Sequence, residues 1–549
     1  ICASQALSVY NTRYRSYNLR PVMRRWNGWG REGNSAPEAL SQQLRQFLEA
    51  TIGIGSALSK VTLADAIKRV SETRVKEHSL MDSTPEVRLR HARGQSLPDW
   101  LAMRSGDIGV FPDAVAKPKT VEELRELLRE AHKKNLCVIP YGGGTSVVGH
   151  VNPVADERPI LTISMSLMDR VTAVDRESEL VTIEAGATGP SIEKQLGNLG
   201  FRLGHYPQSW EHSTLGGWVA SRSSGQQSLQ YGRIEQLLAG ASVETLSGRL
   251  EIPPRPASAA GLDMREVILG SEGRMGIITD VTVRVSKEPE LEYFETLYLP
   301  CWDTGVAFSR DVAQQRIPLS MLRLSNPLET ASHKAMSGDS LSLSKLGLGS
   351  VLVTYGITGS SDHCLSTRNR LEELAKKYGV SPSDIYREDE WASGRFKTPY
   401  LRDPLGDLGY AADTMETAVN WSRVKETVQR IEKVISGALS DEKEKVLVYS
   451  HLSHIYPQGS SIYTTYIFRM GDSYECALSR WEKIKKAGAS ETMACGGTIS
   501  HQHGVGMDHR DYLPMEKGDL GIAAIRTLCN LYDPRRQMNP HKLLTSHDT

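Results

Sequence analysis

Residues 136–147 read Leu136-Cys137-Val138-Ile139-Pro140-Tyr141-Gly142-Gly143-Gly144-Thr145-Ser146-Val147, a short apolar run passing directly into three glycines and two hydroxyl residues. The run has the length and composition of a buried strand. Successive glycines let backbone N–H groups converge on an anion without Cβ obstruction, and the Thr and Ser hydroxyls add donors. The loop therefore suits a phosphate or pyrophosphate, although a tight structural turn would use the same residues. It is not a P-loop, because no Gly-Lys-Ser/Thr follows, and it does not match the G-x-G-x-x-G dinucleotide fingerprint.

Two further clusters lie downstream. Pro207-Gln208-Ser209-Trp210-Glu211-His212-Ser213-Thr214-Leu215-Gly216-Gly217-Trp218 is followed by Ser221-Arg222-Ser223-Ser224-Gly225. Leu269-Gly270-Ser271-Glu272-Gly273-Arg274-Met275-Gly276-Ile277-Ile278 then leads into a β-branched strand over 277–285. Three glycine-bearing loops in one region can together wrap an extended cofactor, which is more than the fold needs for its own turns.

Around these loops the pattern is α/β. Residues 121–135 predict an amphipathic helix, 160–164, 170–174 and 180–185 predict strands, and 191–199 a helix. Pro, Ala and Ser at 253–260 predict a surface loop. Beyond Glu288, strands at 293–299, 351–357 and 462–468 alternate with helices at 368–378 and 423–435, predicting a second unit on a largely antiparallel sheet. Helices at 36–49 and 63–74 precede all this, and one at 521–532 follows it. Arg24-Arg25-Trp26-Asn27-Gly28-Trp29-Gly30 reads as an N-terminal arm using its aromatics as packing anchors.

Composition narrows the function classes. A chain of 549 residues allows two to four domains. Its 65 basic and 65 acidic side chains cancel, which removes the bulk field expected of a nucleic-acid binder. The cysteines (Cys2, Cys137, Cys301, Cys364, Cys476, Cys495, Cys529) form no C-x-x-C pair, so no thiolate metal centre is expected and a reducing, intracellular compartment is. No apolar run approaches the ~18–20 residues needed to span a bilayer; the best, 346–357, is short and broken by glycine. Ile1 in place of Met leaves a processed signal open, and Ser546-His547-Asp548-Thr549 is not a peroxisomal SKL-type ending.

The order GGGTS, ST-LGGW-AS-SSG and GSEG-MG-I-T resembles the FAD-binding domain of the vanillyl-alcohol oxidase superfamily. With RWNGWG near the start and Ser500-His501-Gln502-His503-Gly504-Val505-Gly506 near the end, it is similar within that superfamily to the alkyldihydroxyacetonephosphate (alkylglycerone-phosphate) synthase family, over roughly residues 24–544. The resemblance implies an α+β protein: an N-terminal arm and helical region at 1–105, a two-part PCMH-type FAD-binding domain at 106–288, a substrate-binding cap with a largely antiparallel sheet flanked by helices at 289–515, and a helical tail near the flavin at 516–549. It implies that Pro140, Tyr141, Gly142, Gly143, Gly144, Thr145 and Ser146 cradle the FAD pyrophosphate. Gln208, Ser209, Trp210, Glu211, His212, Ser213 and Thr214, then Ser221, Arg222, Ser223 and Ser224, then Glu272, Gly273, Arg274, Met275, Gly276, Ile277 and Ile278 complete that site. Superfamily members that bond the flavin to this first loop place His where Thr145 stands, so non-covalent FAD is expected.

Four places in the second unit carry chemistry. Arg323 interrupts an alternating apolar run, where it is either a structural ion pair or, as the family's SIRL motif implies, a group near the reactive flavin. Arg402 reads as a surface partner of Asp403 or Asp407; the family's Y-x-R-D implies that it grips the substrate phosphate through its planar fork. Tyr463 and Tyr466 lie on one strand, where tyrosines are ordinarily core, and the resemblance places the acid/base tyrosine at Tyr463. His501 and His503 at i, i+2 face one way on a strand, and a zinc site would need a third ligand such as His509. No metal is expected, since flavin chemistry needs none. Gln502 departs from the three consecutive histidines usual in eukaryotic members.

What the resemblance implies is exchange of the acyl group of 1-acyl-dihydroxyacetone phosphate for a long-chain fatty alcohol in ether lipid biosynthesis. Arg402 would hold the phosphate, His501 or His503 would remove a C1 proton, Tyr463 would act as general acid, and C1 would pass through a flavin N5 adduct without net redox. The resemblance also implies a homodimer, peripheral membrane contact, and a peroxisomal location if eukaryotic or a cytoplasmic one if bacterial. The alternative on the same fold is an FAD-dependent dehydrogenase or oxidase of a 2-hydroxy acid or glycerol 3-phosphate.

Overall fold

The computed structural model describes residues 23–32, 40–337, 349–387 and 389–545. The strand ahead of the glycines, Cys137–Tyr141, lies at the edge of a four-stranded sheet ordered Met81–Asp82, Ala114–Ala116, Ile160–Ser164, Cys137–Tyr141, whose last three members run parallel. Helix Val121–Lys133 covers it. The Thr120 hydroxyl caps its start by accepting from the Glu123 N–H, and Asn135, at φ 53, turns the chain out of it. Leu124, Leu127, Leu128 and Ala131 form an i, i+3, i+4, i+7 stripe buried on Val138, Leu161 and Ile163.

A second sheet, antiparallel throughout, is ordered Val171–Asp175, Leu180–Glu184, Ile277–Arg284, Leu238–Thr245, Gly248–Ile252. Between the two sheets run the glycine loops. Leu238–Thr245 is buried at every position, yet its Gly, Ala, Ser and Glu do not advertise a strand. A Cβ on Gly240 would lie 2.4 Å from the Ile252 carbonyl oxygen, so close backbone approach keeps this strand small.

The third sheet has seven antiparallel strands in the order Tyr386–Arg387, Leu291–Leu299, Val351–Gly359, Met321–Ser325, Val446–Leu452, Gly459–Arg469, Tyr410–Asn420. Side chains alternate between its faces. Leu322, Leu324, Val353, Leu452 and Ile462 pack on helices Trp302–Gln314, Ser361–Lys377 and Trp421–Gly437. The opposite face bears the functional side chains.

The expected boundary at 288/289 falls between Lys287, which ends a two-stranded ribbon, and Leu291. The one at 105/106 is crossed: Met81–Asp82 joins the first sheet, and Trp100 packs with Tyr466 of the third. The tail also returns to the first sheet, where the Asn539 N–H donates to the Val138 carbonyl at 2.7 Å. The helix read at 63–74 stops at Lys68, because Arg74 is drawn out to Asp113 (Nη2 to Oδ2 2.7 Å). The helical stretch Leu513–Tyr532 is two helices meeting at a kink, the non-helical Gly518, and the expected helix at 521–532 lies in the second. Of the helix read at 36–49, the described part is Gln42–Ile52, and the C-terminal residues 546–549 lie outside the described residues.

Candidate active site

A cavity of about 1870 Å³ lies between the glycine loops and the free face of the seven-stranded sheet. Residues 140–146, Gln208, Ser209, Ser213 and Thr214 line it, as do Ser221, Ser223, Ser224, Glu272, Gly273 and residues 276–278. The first two loops are pressed together. A Cβ on Gly143 would sit 1.8 Å from the His212 carbonyl oxygen, and one on Gly142 would sit 2.3 Å from Thr214 Oγ1. Thr214 Oγ1 is itself buried with no hydrogen-bond partner among the described residues. Three donor-bearing loops along one wall, with a buried hydroxyl left unsatisfied, fit a phosphate-bearing cofactor such as FAD.

Six residues expected at the cofactor do not line the cavity. Trp210 stacks on Phe396 (5.0 Å, 16°), Glu211 accepts from the Tyr400 hydroxyl, and His212 meets the edge of Trp29. Arg222 is paired with Glu266, Arg274 donates to the Met538 carbonyl, and Met275 packs among Leu513, Ile522 and Leu544. These positions brace the loops from behind. Glu272 does line the cavity, but its carboxylate accepts from the Val505 and Gly506 N–H groups (2.5 and 2.8 Å), tying the third loop to the histidine loop. The N-terminal arm does more than pack: Arg24 Nη1 donates to the Gly143 carbonyl at 2.5 Å, and Arg25 pairs with Asp403.

The opposite wall is organised by strand register. Glu416, Tyr463 and His451 form one cross-strand row, Thr414, Thr465 and Tyr449 the next, and Ala412, Ile467 and Leu447 the third. Directly opposed residues share a face, so polarity falls away along the strands. Beyond the third row, Leu44, Phe47 and Leu48 of helix Gln42–Ile52, with Leu401 and Leu405, close an apolar arm.

Tyr463 donates to Thr414 Oγ1 at 3.1 Å and stacks on His451 (5.0 Å, 17°). Burial pushes its hydroxyl up to about 12, so it stays protonated at neutral pH. Tyr466, three residues on and facing the other way, does not line the cavity; it donates to Asp413. Arg323 lines the cavity while paired with Glu329 at 2.6 Å and donating to His451 Nδ1 at 3.0 Å, so the structural pair and the position at the cavity coexist. Arg402 is not paired with Asp403 or Asp407. It faces Asp413 at 3.4 Å and donates to the Gln95 carbonyl at 2.7 Å.

The structure separates the two histidines. His503 lines the cavity with its ring 6.0 Å from that of Tyr463, edge-on. His501 does not line it; its Nε2 lies 2.6 Å from both Arg233 Nη1 and the Tyr456 hydroxyl. Burial lowers the His501 pKa and Glu416 only partly offsets this, which keeps the ring neutral. Burial alone would raise Glu416, but His503 first and the facing His501 N–H second outweigh it and hold the carboxyl well below its ordinary range. Glu416, His451 and His454 carry no local sequence motif of their own; only the pairing of distant strands brings them here. Among the described residues no group of three His, Cys, Asp or Glu side chains could hold a metal ion, and no helix is long and apolar enough to cross a membrane.

Comparison with known proteins agrees with this layout. Residues 112–252 match the family model for an FAD binding domain, and residues 288–543 that for the FAD linked oxidases, C-terminal domain. The chain is 31% identical over 475 residues to an alkyldihydroxyacetonephosphate synthase of Dictyostelium discoideum, covering 83% of this chain and 77% of that one. It is 28% identical over 568 residues to an alkyldihydroxyacetonephosphate synthase of Caenorhabditis elegans, covering 94% of each. A solved structure of an alkyldihydroxyacetonephosphate synthase superposes with a TM-score of 0.80 at 25% identity, over 95% of this chain and 99% of that one.

Proposed function

The chain belongs to the alkyldihydroxyacetonephosphate synthase family of FAD-dependent enzymes, and on that footing we propose that it replaces the acyl group of 1-acyl-dihydroxyacetone phosphate with a long-chain fatty alcohol. One observation supports the reading above others: a single cavity joins the glycine loops, the row holding Tyr463, and an apolar arm ending at Leu44, Phe47 and Leu48. A small 2-hydroxy acid would have no use for that arm, whereas an alkyl chain would bury it.

In this reading Arg402 binds the phosphate, its other contacts to Asp413 and Gln95 aiming the guanidinium. His503 accepts the C1 proton and Tyr463, a phenol protonated at neutral pH, donates to the departing carboxylate. FAD would supply the chemistry that exchanges the acyloxy group at C1 for the alkoxy group with no net oxidation. Residues of the three glycine loops would hold it without a covalent bond, Thr145 offering a hydroxyl where a histidine would be required. The same reading carries a homodimer, peripheral contact with the membrane that supplies both lipids, and a peroxisomal or bacterial cytoplasmic setting.

The test is direct. Purified, FAD-loaded protein incubated with palmitoyl-dihydroxyacetone phosphate and hexadecanol should yield the alkyl ether and free palmitate in equal amounts. Absence of ether, with flavin bleaching by lactate or glycerol 3-phosphate, would favour the dehydrogenase reading.

A further inference from the structure

We infer that Glu416 is the positioning residue that fixes His503 with its proton on Nδ1 and its lone pair on Nε2, and that His501 braces this carboxylate instead of serving as a second base. The inference rests on the reading of His503 as the proton acceptor. Glu416 stands in the middle of strand Tyr410–Asn420, opposite Tyr463, with 5% of its surface exposed. Its Oε1 accepts from the backbone N–H groups of Gln502 (2.6 Å) and His503 (3.1 Å) and lies 3.5 Å from His503 Nδ1. A buried carboxylate beside one ring nitrogen keeps the proton there and leaves the other nitrogen basic. The backbone bonds fix the histidine loop at the same time, so a single side chain sets both the place and the tautomer of the imidazole.

The state of His501 follows from its partners. A guanidinium only donates, so Nε2 of His501 must accept from Arg233 at 2.6 Å. In the neutral ring the proton then sits on Nδ1. That nitrogen faces Glu416 Oε2 at 3.8 Å, and both atoms are buried with no hydrogen-bond partner among the described residues. The lone pair that would make His501 a base is thus occupied, and its N–H is turned to the carboxylate. His503 differs in lining the cavity next to Tyr463.

Nitrogen-15 NMR of the histidine-labelled, FAD-loaded enzyme tests this, the His503 signal being assigned by its loss in His503→Gln. The wild type should show His503 as the Nδ1–H tautomer; an Nε2–H tautomer would overturn the inference without any Glu416 variant. Glu416→Gln should move His503 toward Nε2–H and lower kcat roughly 100-fold or more, a loss typical of a misplaced general base, with KM for acyl-dihydroxyacetone phosphate within about threefold. Glu416→Asp should restore the tautomer and part of kcat. Retention of the Nδ1–H tautomer in Glu416→Gln, or equal losses in both variants accompanied by loss of FAD, would overturn it. His501→Gln should cost at least tenfold less than His503→Gln, and the reverse order would refute the brace. Full activity of His503→Gln would instead remove the base reading itself, whatever the tautomer proves to be.

Discussion

Replacing Ala412 by Trp should shorten the alcohol that the enzyme accepts. Ala412 lies in the third cross-strand row with Ile467 and Leu447, and it lines the cavity. Tyr463 and Ile467 are four residues apart on one strand, about 13 Å at ~3.3 Å per residue, room for roughly ten carbons of an extended chain with ~1.5 Å bonds. An indole at 412 would fill the arm at that depth. A sixteen-carbon alcohol would then leave roughly six methylenes unburied, at about 0.8 kcal/mol each, so the ceiling on the loss is about 5 kcal/mol, or about three and a half orders of magnitude in kcat/KM. Partial rerouting of the chain would reduce it. The assay is kcat/KM for alcohols of eight to eighteen carbons with the wild type and Ala412→Trp. The variant should match the wild type up to about ten carbons and fall progressively beyond. A uniform drop at every length, or an unchanged profile, would refute the assignment of the apolar arm to the alkyl chain.

Tyr463→Phe should lower turnover about 100-fold or more while FAD content and substrate affinity are kept, measured by initial rates and flavin absorbance; unchanged turnover would remove it as general acid. Arg402→Ala should chiefly raise the Kd of the phosphate-bearing substrate, by roughly 10–100-fold for a lost charge-assisted pair, and leave that of the dephosphorylated analogue alone; titration calorimetry checks both. Denaturation followed by gel filtration should leave the protein colourless, and yellow protein would contradict dissociable FAD. Acid should destabilise the fold through His205, whose pKa burial and the nearby Arg233 push down to about 3. The unfolded chain binds that proton from about pH 6.5 downward, so stability is present above 6.5 and lost as pH falls toward 3. The loss is about 2 kcal/mol at pH 5, and His205→Asn should flatten the fall in Tm between pH 7 and 5.

The glycine loops are legible because their signal is local, a strand followed by consecutive glycines, whereas the partner that leaves no room for a Cβ at Gly143, the His212 carbonyl, is distant in sequence. Strand alternation was enough to set Tyr463 and Tyr466 on opposite faces. Register was not legible. Glu416 and His451 reach Tyr463 only because strands Tyr410–Asn420 and Val446–Leu452 flank Gly459–Arg469, and the first of these reads as Ala, Asp, Thr and Glu with no apolar alternation. Helix Tyr474–Ala494 escaped for a related reason: its charged residues and small buried positions, such as Gly488 against Met415, leave little apolar periodicity. Trp210, His212 and Arg274 stand inside the correct loops but turn away from the cavity, a distinction made by tertiary partners and not by loop composition.

The central claim is an exchange at C1 without net redox. Anaerobic, FAD-loaded enzyme given acyl-dihydroxyacetone phosphate and an oxygen-18-labelled fatty alcohol tests it in one reaction. The label should appear in the ether of the dihydroxyacetone phosphate product, one equivalent of unlabelled fatty acid should be released, and the flavin should finish oxidised. Label in a fatty ester, or a flavin left bleached with no ether formed, would contradict the account.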